Sequence, residues 1–349
     1  MAANETVRSE SENYRPEVSV IVPARNEEAS LRTCLESLVS QSGVEFEIIV
    51  VDDHSTDRTR EIALSFAAAA GSRLRVVEAG PLPAGWTGKN NAVVTGVHQA
   101  RGEWLLFTDA DTVHLSGSLA RAIAEAKERR VDMLSYSPEQ MAVTFWEMAV
   151  LPVVFAELAR QYPPSKVSDP NSPAAAANGQ YILVKREVYD AVGGHAAVAG
   201  EILEDVALAR AFKAAGKKIR FRYATDAVHT RMYRNWQQLR DGWTKNLALL
   251  FPHPGRLAAK SFGLWLLLWL IVLFANVGNH WWNGIDVAYF VLLAWRLKPA
   301  NFTWDRTING SLFGMPMFAY LLLRSKRAHA KGSIAWKGRK YSEKLATGH

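Results

Sequence analysis

The chain is short of the residues that would tie a fold together covalently. It has one cysteine, Cys34, among 349 residues, so no internal disulfide forms. A thiol set among helix-patterned apolar residues reads as a packed side chain, not a reactive one. Met1 to Glu17 is polar and charged and has no apolar signal-peptide core, so the first domain is expected in the cytoplasm. No Gly-x4-Gly-Lys-Ser/Thr loop occurs, which excludes nucleotide binding of the Walker A type. The net charge of +7 is unevenly spread: from Arg324 onward eight Lys and Arg face one acid, Glu343. With no aromatic-interleaved basic motif, that excess does not point to nucleic acid, and none is expected as a partner.

What is present alternates. Val18–Val22, Phe46–Val51 and Leu74–Val77 are short, β-rich runs with strand character, and Trp104–Phe107 is a short, continuous apolar one. Between them lie helical patterns, including the face Leu31, Leu35, Leu38 and Val39 and the stretch Thr87–Ala100. This is βαβ spacing, so an α/β, Rossmann-like fold with a mostly parallel sheet is expected. Polar residues follow the strands: Arg25 and Glu27, then Asp53, then Asp109 and Asp111. In such a sheet these segments share one rim, where ligands bind.

Trp104-Leu105-Leu106-Phe107-Thr108-Asp109-Ala110-Asp111 is the central stretch. Two carboxylates that close are costly to keep ionised without a positive partner. A divalent cation holding a diphosphate is one such partner; a plain acidic turn is the alternative. Lys89, in Gly85-Trp86-Thr87-Gly88-Lys89-Asn90, reads either as a solvated loop lysine or as a cation facing a phosphate at a helix start. Ala174–Gln180 is built of small residues that let backbone approach a ligand. Glu204-Asp205 opens an amphipathic helix, where carboxylates serve as dipole partners or, beside a sugar site, as a general base. Arg231–Asn246 is basic and aromatic together, as a lid over a diphosphate or a collar at a membrane surface would be.

Met141–Leu158, interrupted by Glu147 and Pro152, reads as an interfacial helix, with a core helix as the alternative. Ser261–Gly278 carries no charge and, with its flanks, approaches the roughly 20 residues needed to span a bilayer. Ile285–Leu297 and Ser311–Leu323 are further apolar runs, and Trp281-Trp282 resembles an interfacial belt. Lys and Arg are missing from the linker Asn279–Gly284 but flank the runs elsewhere. The positive-inside rule then expects two spans, with the third run re-entrant or interfacial. The expected organisation is a polar tail (1–16), a catalytic domain (17–230), a basic aromatic segment (231–257), a membrane region (258–323) and a basic tail (324–349). The chain is thereby placed as a multi-pass protein of the inner cell membrane, with the catalytic domain cytoplasmic. A buried helical hairpin is the alternative.

Four motifs in order, Ser19–Pro23 with Asn26-Glu27-Glu28, Val50–Asp57, Asp109-Ala110-Asp111 and Glu204-Asp205, resemble the signature of family 2 glycosyltransferases with the GT-A fold. The resemblance covers about Glu17 to Asn246. Gly85–Lys89, Gly242–Asn246 and Trp336–Tyr341 are similar to a membrane-bound subgroup that includes carotenoid and hopanoid-associated glycosyltransferases and, more distantly, ceramide glucosyltransferase. The family resemblance implies a nucleotide-sugar donor, most often a UDP-sugar, and Mg²⁺ or Mn²⁺. It implies that Pro23, Arg25, Glu27 and Asp53 line the nucleoside pocket, with Lys89 on the donor side. Asp109 would face ribose or metal, Asp111 would carry the metal, and Asp205, beside Glu204, would be the catalytic base of an inverting transfer. Processive members carry Gln-x-x-Arg-Trp; here Gln237-Gln238-Leu239-Arg240 is followed by Asp241, and the tryptophan arrives at Trp243. Polymer synthesis is therefore not expected, and Arg240 and Trp243 are possible lid residues.

The expected activity is transfer of one sugar to a hydroxyl of a membrane lipid of carotenoid, hopanoid, sphingolipid or glycerolipid type. A polyprenyl-phosphate sugar synthase is a second enzymatic reading. A non-catalytic membrane scaffold that retains the nucleotide-sugar fold is a third. A sugar-nucleotide pyrophosphorylase is excluded, because Pro23-Ala24-Arg25-Asn26 stands where its glycine-rich first loop would be.

Overall fold

The computed structural model describes residues 16–276, 291, 304–336 and 338–341. In chain order the first elements are β1 (Val18–Ala24), α1 (Leu31–Val39), β2 (Phe46–Asp52), α2 (Thr59–Ala70), β3 (Leu74–Glu78), α3 (Gly88–Gln99) and β4 (Trp104–Phe107). Then come β5 (Thr112–His114), α4 (Ser118–Arg129), β6 (Met133–Ser137), β7 (Glu139–Gln140), α5 (Phe145–Gln161) and α6 (Pro164–Ser168). β8 (Ile182–Lys185), α7 (Arg186–Ala191), α8 (Glu204–Ala214), β9 (Ile219–Tyr223) and β10 (Val228–Thr230) follow. The chain continues through α9 (Trp236–Leu250), α10 (Pro254–Asn276), α11 (Trp304–Ala330), β11 (Ile334–Trp336) and β12 (Arg339–Tyr341). Two compact units result: Met1–Glu139 with Pro164–Thr230, and Gln140–Pro163 with Arg231–His349.

The first unit is built on a seven-stranded sheet in the order β3-β2-β1-β4-β8-β6-β9. β1 pairs in parallel with β2 and β4, β2 with β3, and β6 with β9. Every residue of β2 and β4 is buried. That is why β4 reads as an unbroken apolar run, and why Glu47 in β2 is paired with Ser19, Arg75 and Arg101: a parallel sheet covered on both faces has no wet side. β8 is the exception, antiparallel to both β4 and β6. Its N-terminal end therefore lies at the rim where the parallel strands end, and residues 178–180 reach the same edge as Asp109. A second, small sheet pairs β5 with β10.

Helix α3 begins at this rim. Thr87 caps it by accepting a hydrogen bond from the Asn90 N–H at 3.2 Å. Its middle lies close on the sheet: a Cβ on Gly96 would sit 2.6 Å from Ile21 Cγ2 and 3.0 Å from Val51 Cγ2. The missing side chain lets α3 approach β1 and β2, and it holds Lys89 at the helix's first turn over the sheet end.

The second unit is helical. Thr144 and Glu147 form a reciprocal capping box at the start of α5, and Arg231 binds both oxygens of Glu147, at 2.9 and 3.1 Å. Val150 and Val154 of α5 share a core with Leu239 and Leu247 of α9 and Phe318 and Leu322 of α11. The Met141–Leu158 stretch is thus a core helix, correcting the interfacial reading. It is apolar because it is enclosed by other helices of its unit.

The expected membrane spans are also corrected. Among the described residues no helix is long and apolar enough to cross a membrane, which overturns the multi-pass placement in the inner cell membrane. Ser261 onward lies in α10, whose first turns carry Arg256 and Lys260. Among the described residues the charge-free part of α10, Ser261–Asn276, rises about 24 Å at 1.5 Å per residue, against about 30 Å for a bilayer core. The Ser311–Leu323 run falls within α11, which contains Pro316 and buries Met315, Phe318, Leu321 and Leu322. Ile285–Leu297 and the Trp281-Trp282 pair lie outside the described residues, residue 291 excepted.

Gly96→Ala is expected to lower the unfolding free energy by about 1–3 kcal/mol, the usual cost of forcing a group into a filled core. Urea titration followed by circular dichroism checks this; unchanged stability would mean that α3 does not need the close approach.

Candidate active site

The site is a cleft at the sheet rim of the first unit, lined by Pro23, Lys89, Val93, Phe107, Thr108, Asp109, Gly179, Ile182, His195 and Glu204. Its centre is a cation between two acids from distant parts of the chain. Lys89 Nζ lies 2.7 Å from Asp109 Oδ1 and 2.7 Å from Glu204 Oε1. β4 delivers Asp109, α3 delivers Lys89, and the start of α8 delivers Glu204. Burial alone would depress the Lys89 pKa, but Asp109 and Glu204 outweigh it and raise it well above the ordinary lysine value. The ammonium therefore stays charged.

Asp205 enters through the backbone. Its Oδ2 accepts from the Gly179 N–H at 2.9 Å and its Oδ1 from the Val206 N–H at 2.8 Å. Gly179 is where the three groups meet: a Cβ there would lie 3.1 Å from Lys89 Nζ, 3.4 Å from Glu204 Oε1 and 3.6 Å from Asp205 Oδ2. Burial, and then the neighbouring Glu204 carboxylate, push the Asp205 carboxyl up to about 6; Lys89 and the two N–H groups act in the opposite sense. A carboxyl near neutrality that is oriented by backbone donors is suited to take a proton at physiological pH.

The residues after β1 and β2 form an adjoining latch. The Asp53 N–H donates to the Ala24 carbonyl at 2.8 Å, and Arg25 Nη1 donates to the Asp53 carbonyl at 2.5 Å. The Glu27 N–H donates to Thr59 Oγ1 at 2.7 Å, and Asn26 Oδ1 accepts from the Thr56 N–H at 2.9 Å. Asn26 and His54 both adopt positive φ, 52° and 55°, which the two loops need to turn back on each other. Pro23 reaches the cleft lining; Arg25, Glu27 and Asp53 belong to the latch. Asp111 follows Asp109 on the turn into β5, and its carbonyl accepts from Thr230 Oγ1 at 3.2 Å. Thr108 Oγ1 donates to the Gln180 carbonyl at 2.9 Å, joining the end of β4 to the approach of β8. Below the turn, burial raises the Cys34 thiol far out of the thiolate range, in keeping with a packing role.

Asp109 and Asp111 offer hard carboxylate oxygens on one turn. Among the described residues no group of three or more His, Cys, Asp or Glu side chains is assembled to hold an ion by protein ligands alone. Mg²⁺ and Mn²⁺ fit that donor set when phosphate oxygens of a ligand complete the shell, since Mg²⁺ commonly takes one or two carboxylates together with phosphates.

Arg240 and Trp243 belong to the second unit. Trp243 is 2% exposed, with ring contacts to Tyr233 and Phe155. Arg240 Nε donates to Asp241 Oδ1 at 2.9 Å. Gly179 falls in the small-residue stretch Ala174–Gln180 expected to approach a ligand, whereas His195 carries no individual mark in the sequence beyond the Gly193-Gly194 turn before it.

Residues 19–192 match the profile described as glycosyl transferase family 2. A 4,4'-diaponeurosporenoate glycosyltransferase of Staphylococcus aureus (strain USA300) is 27% identical over 347 residues, covering 93% of this chain and 88% of the relative. Its counterpart in strain MRSA252 is also 27% identical, over 353 residues. Among solved structures, a mannosyltransferase from Pyrobaculum calidifontis in complex with GDP-Man and Mn²⁺ superposes with a TM-score of 0.51 at 19% identity, covering 90% of this chain and 87% of that one. The shared architecture is the GT-A fold.

Titration of the Asp205 carboxyl, followed by ¹³C shifts of labelled aspartate side chains, is expected to centre on about pH 6. Lys89 favours the ionised form, so Lys89→Met should move that midpoint upward. A midpoint that falls in the variant would contradict the electrostatic account.

Proposed function

Residues 19–192 constitute a glycosyl transferase family 2 domain, and from that premise we propose that the chain is a metal-dependent, inverting glycosyltransferase that moves one sugar from a nucleotide-sugar, most simply a UDP-sugar, to a lipid hydroxyl. One observation carries the reading: Lys89, Asp109, Glu204 and the perturbed Asp205 converge around Gly179 at the rim of a GT-A sheet. The lipid acceptor draws support from the carotenoid relative, which aligns over most of both chains.

In this reading Pro23, Arg25, Glu27 and Asp53 hold the nucleoside at the β1–β2 latch. Asp111, with Asp109, holds Mg²⁺ or Mn²⁺, which when bound offsets charge on the departing diphosphate. Lys89 stands at the first turn of α3, where a helix start favours phosphate, and its charge is available to the leaving group. Asp205 takes the proton from the acceptor hydroxyl. The hydroxyl oxygen bonds to the anomeric carbon as the bond from that carbon to the phosphate oxygen breaks. Attack from the face opposite the leaving group inverts the configuration. Glu204, committed to Lys89, keeps the Asp205 carboxyl basic and the lysine in place.

A second acceptor class follows from the relative's printed substrate, which is a carboxylate by name. An acceptor already ionised needs no base, and Asp205 would then serve only to shape the site.

The test is transfer of label from UDP-sugars and GDP-mannose to a lipid extract. Asp205→Asn should lower kcat by about 10²- to 10⁴-fold; full activity in that variant would favour the ionised acceptor. For a hydroxyl acceptor kcat/KM should rise with pH through about 6, because the ionised carboxyl is the active form. Chelation should abolish transfer and added Mn²⁺ restore it, whereas Asp111→Asn should stay inactive with the metal present. Metal-independent transfer would remove Asp111 from its role.

A further inference from the structure

His195 is buried at 2% exposure, lines the cleft beside Lys89 and Glu204, and has no part in the chemistry above. The chain goes to some length to hold it. Gly193 and Gly194 take positive φ, 81° and 53°, in the turn that follows α7. A side chain at Gly194 would strike the Tyr189 ring. With glycine there, Tyr189 lies against the turn, and its hydroxyl meets His195 twice. The His195 backbone N–H donates to Tyr189 Oη at 2.9 Å, and the same Oη lies 3.0 Å from His195 Nδ1. Phe107 closes the other side, with its ring centroid 4.7 Å from the imidazole at 72°. The imidazole is thus clamped between two aromatic rings.

This geometry determines where the imidazole proton sits. Tyr189 is 4% exposed, and burial raises its pKa, so the phenol keeps its hydrogen. Its oxygen already accepts from a backbone N–H, and among the described residues the one acceptor recorded for the phenol hydrogen is His195 Nδ1. A buried hydroxyl left without an acceptor costs roughly 1–3 kcal/mol. Nδ1 therefore accepts, and the neutral ring carries its proton on Nε2. Burial lowers the His195 pKa to about 4, with Glu204 and Lys89 acting in opposite directions, so the ring stays neutral across the physiological range. The site thus holds the Lys89 cation, the carboxyl groups of Asp109, Glu204 and Asp205, and one neutral N–H donor. With Lys89 beside Glu204 as the cation available to a diphosphate, the uncharged partner left for a neutral N–H donor is a sugar hydroxyl.

We infer that His195 is a donor-binding, specificity-determining residue whose Nε2–H donates a hydrogen bond to a hydroxyl of the sugar being transferred. This rests on the glycosyltransferase reading above. Tyr189 is the positioning residue, because it selects the tautomer that makes Nε2 a donor.

The experiment uses the full chain and whichever of UDP-glucose, UDP-galactose and GDP-mannose the wild type transfers, together with monodeoxy analogues of that donor. His195→Phe should reduce kcat/KM for the parent donor by about tenfold or more. One deoxy analogue should be impaired in the wild type yet suffer no further loss in the variant, a non-additivity that a merely structural role would not produce. His195→Gln, whose amide nitrogen reaches the Nε2 position, should restore most of the activity, whereas His195→Asn, whose amide matches Nδ1, should not. If His195→Phe does not fold, the Gln-to-Asn contrast decides. Nitrogen NMR of the imidazole should report the Nε2–H tautomer in the wild type and a mixture in Tyr189→Phe. An Nδ1–H tautomer, or wild-type kcat/KM with every donor in the variants, would overturn this inference alone. Absence of transfer from all three donors by the wild type would overturn the glycosyltransferase reading and this inference with it.

Discussion

One ammonium group holds the site together. Lys89 sits between Asp109, at the end of a central strand, and Glu204, more than ninety residues further along at a helix start. Without it, Glu204 and Asp205 would face each other across Gly179 with Asp109 close by and no cation among them. Like charges at that separation in a partly dry cleft push one another toward the neutral form. Lys89 therefore does more than pair charges: by offsetting its two partners it leaves Asp205 perturbed but still able to ionise. The α3 helix that presents it is set by sheet packing, so the electrostatics of the cleft depend on a methyl-sized vacancy at Gly96, about two turns away.

Two kinds of support surround that charge cluster. On one side the loops after β1 and β2 bind each other through backbone groups and short polar side chains, which makes a rigid seat from residues that look like ordinary turn formers. On the other side Gly179 contributes an N–H to Asp205, and its lack of a side chain admits Lys89 and Glu204. The Asp205 carboxyl is thus oriented by main chain and tuned by its neighbours. Such a division holds geometry and basicity on separate residues.

Much of the sheet was legible in the order of residues. Ile48–Val51 and Trp104–Phe107 are buried on both faces, and that burial is the reason for their unbroken apolar character. The reversed direction of β8 was not legible, because a four-residue strand has the same composition whichever way it runs. Apolar content misled in the second unit for a related reason. A helix enclosed by other helices and one facing lipid share a composition, and only the buried partners of Val150, Phe318 and Leu322 separate them. At the cleft, the acids and Lys89 could be named from motif spacing. His195 could not, since its place depends on a tyrosine six residues earlier folding back through a double-glycine turn. Trp243 carried a motif-like spacing, and its side chain is part of a core.

The antiparallel β8 has one more consequence. It is hydrogen-bonded on both sides, with Phe107 opposite Ile182 and Ser135 also opposite Ile182. Its register is thereby locked twice, immediately after Gly179. The preceding segment, residues 174–178, approaches from the outer end and is tied to β6 at its last residue, where the Asn178 N–H donates to Ser135 Oγ at 2.9 Å. A sheet with one strand reversed therefore delivers the beginning of β8, and the Gly179 N–H before it, to the rim where its parallel neighbours deliver their ends.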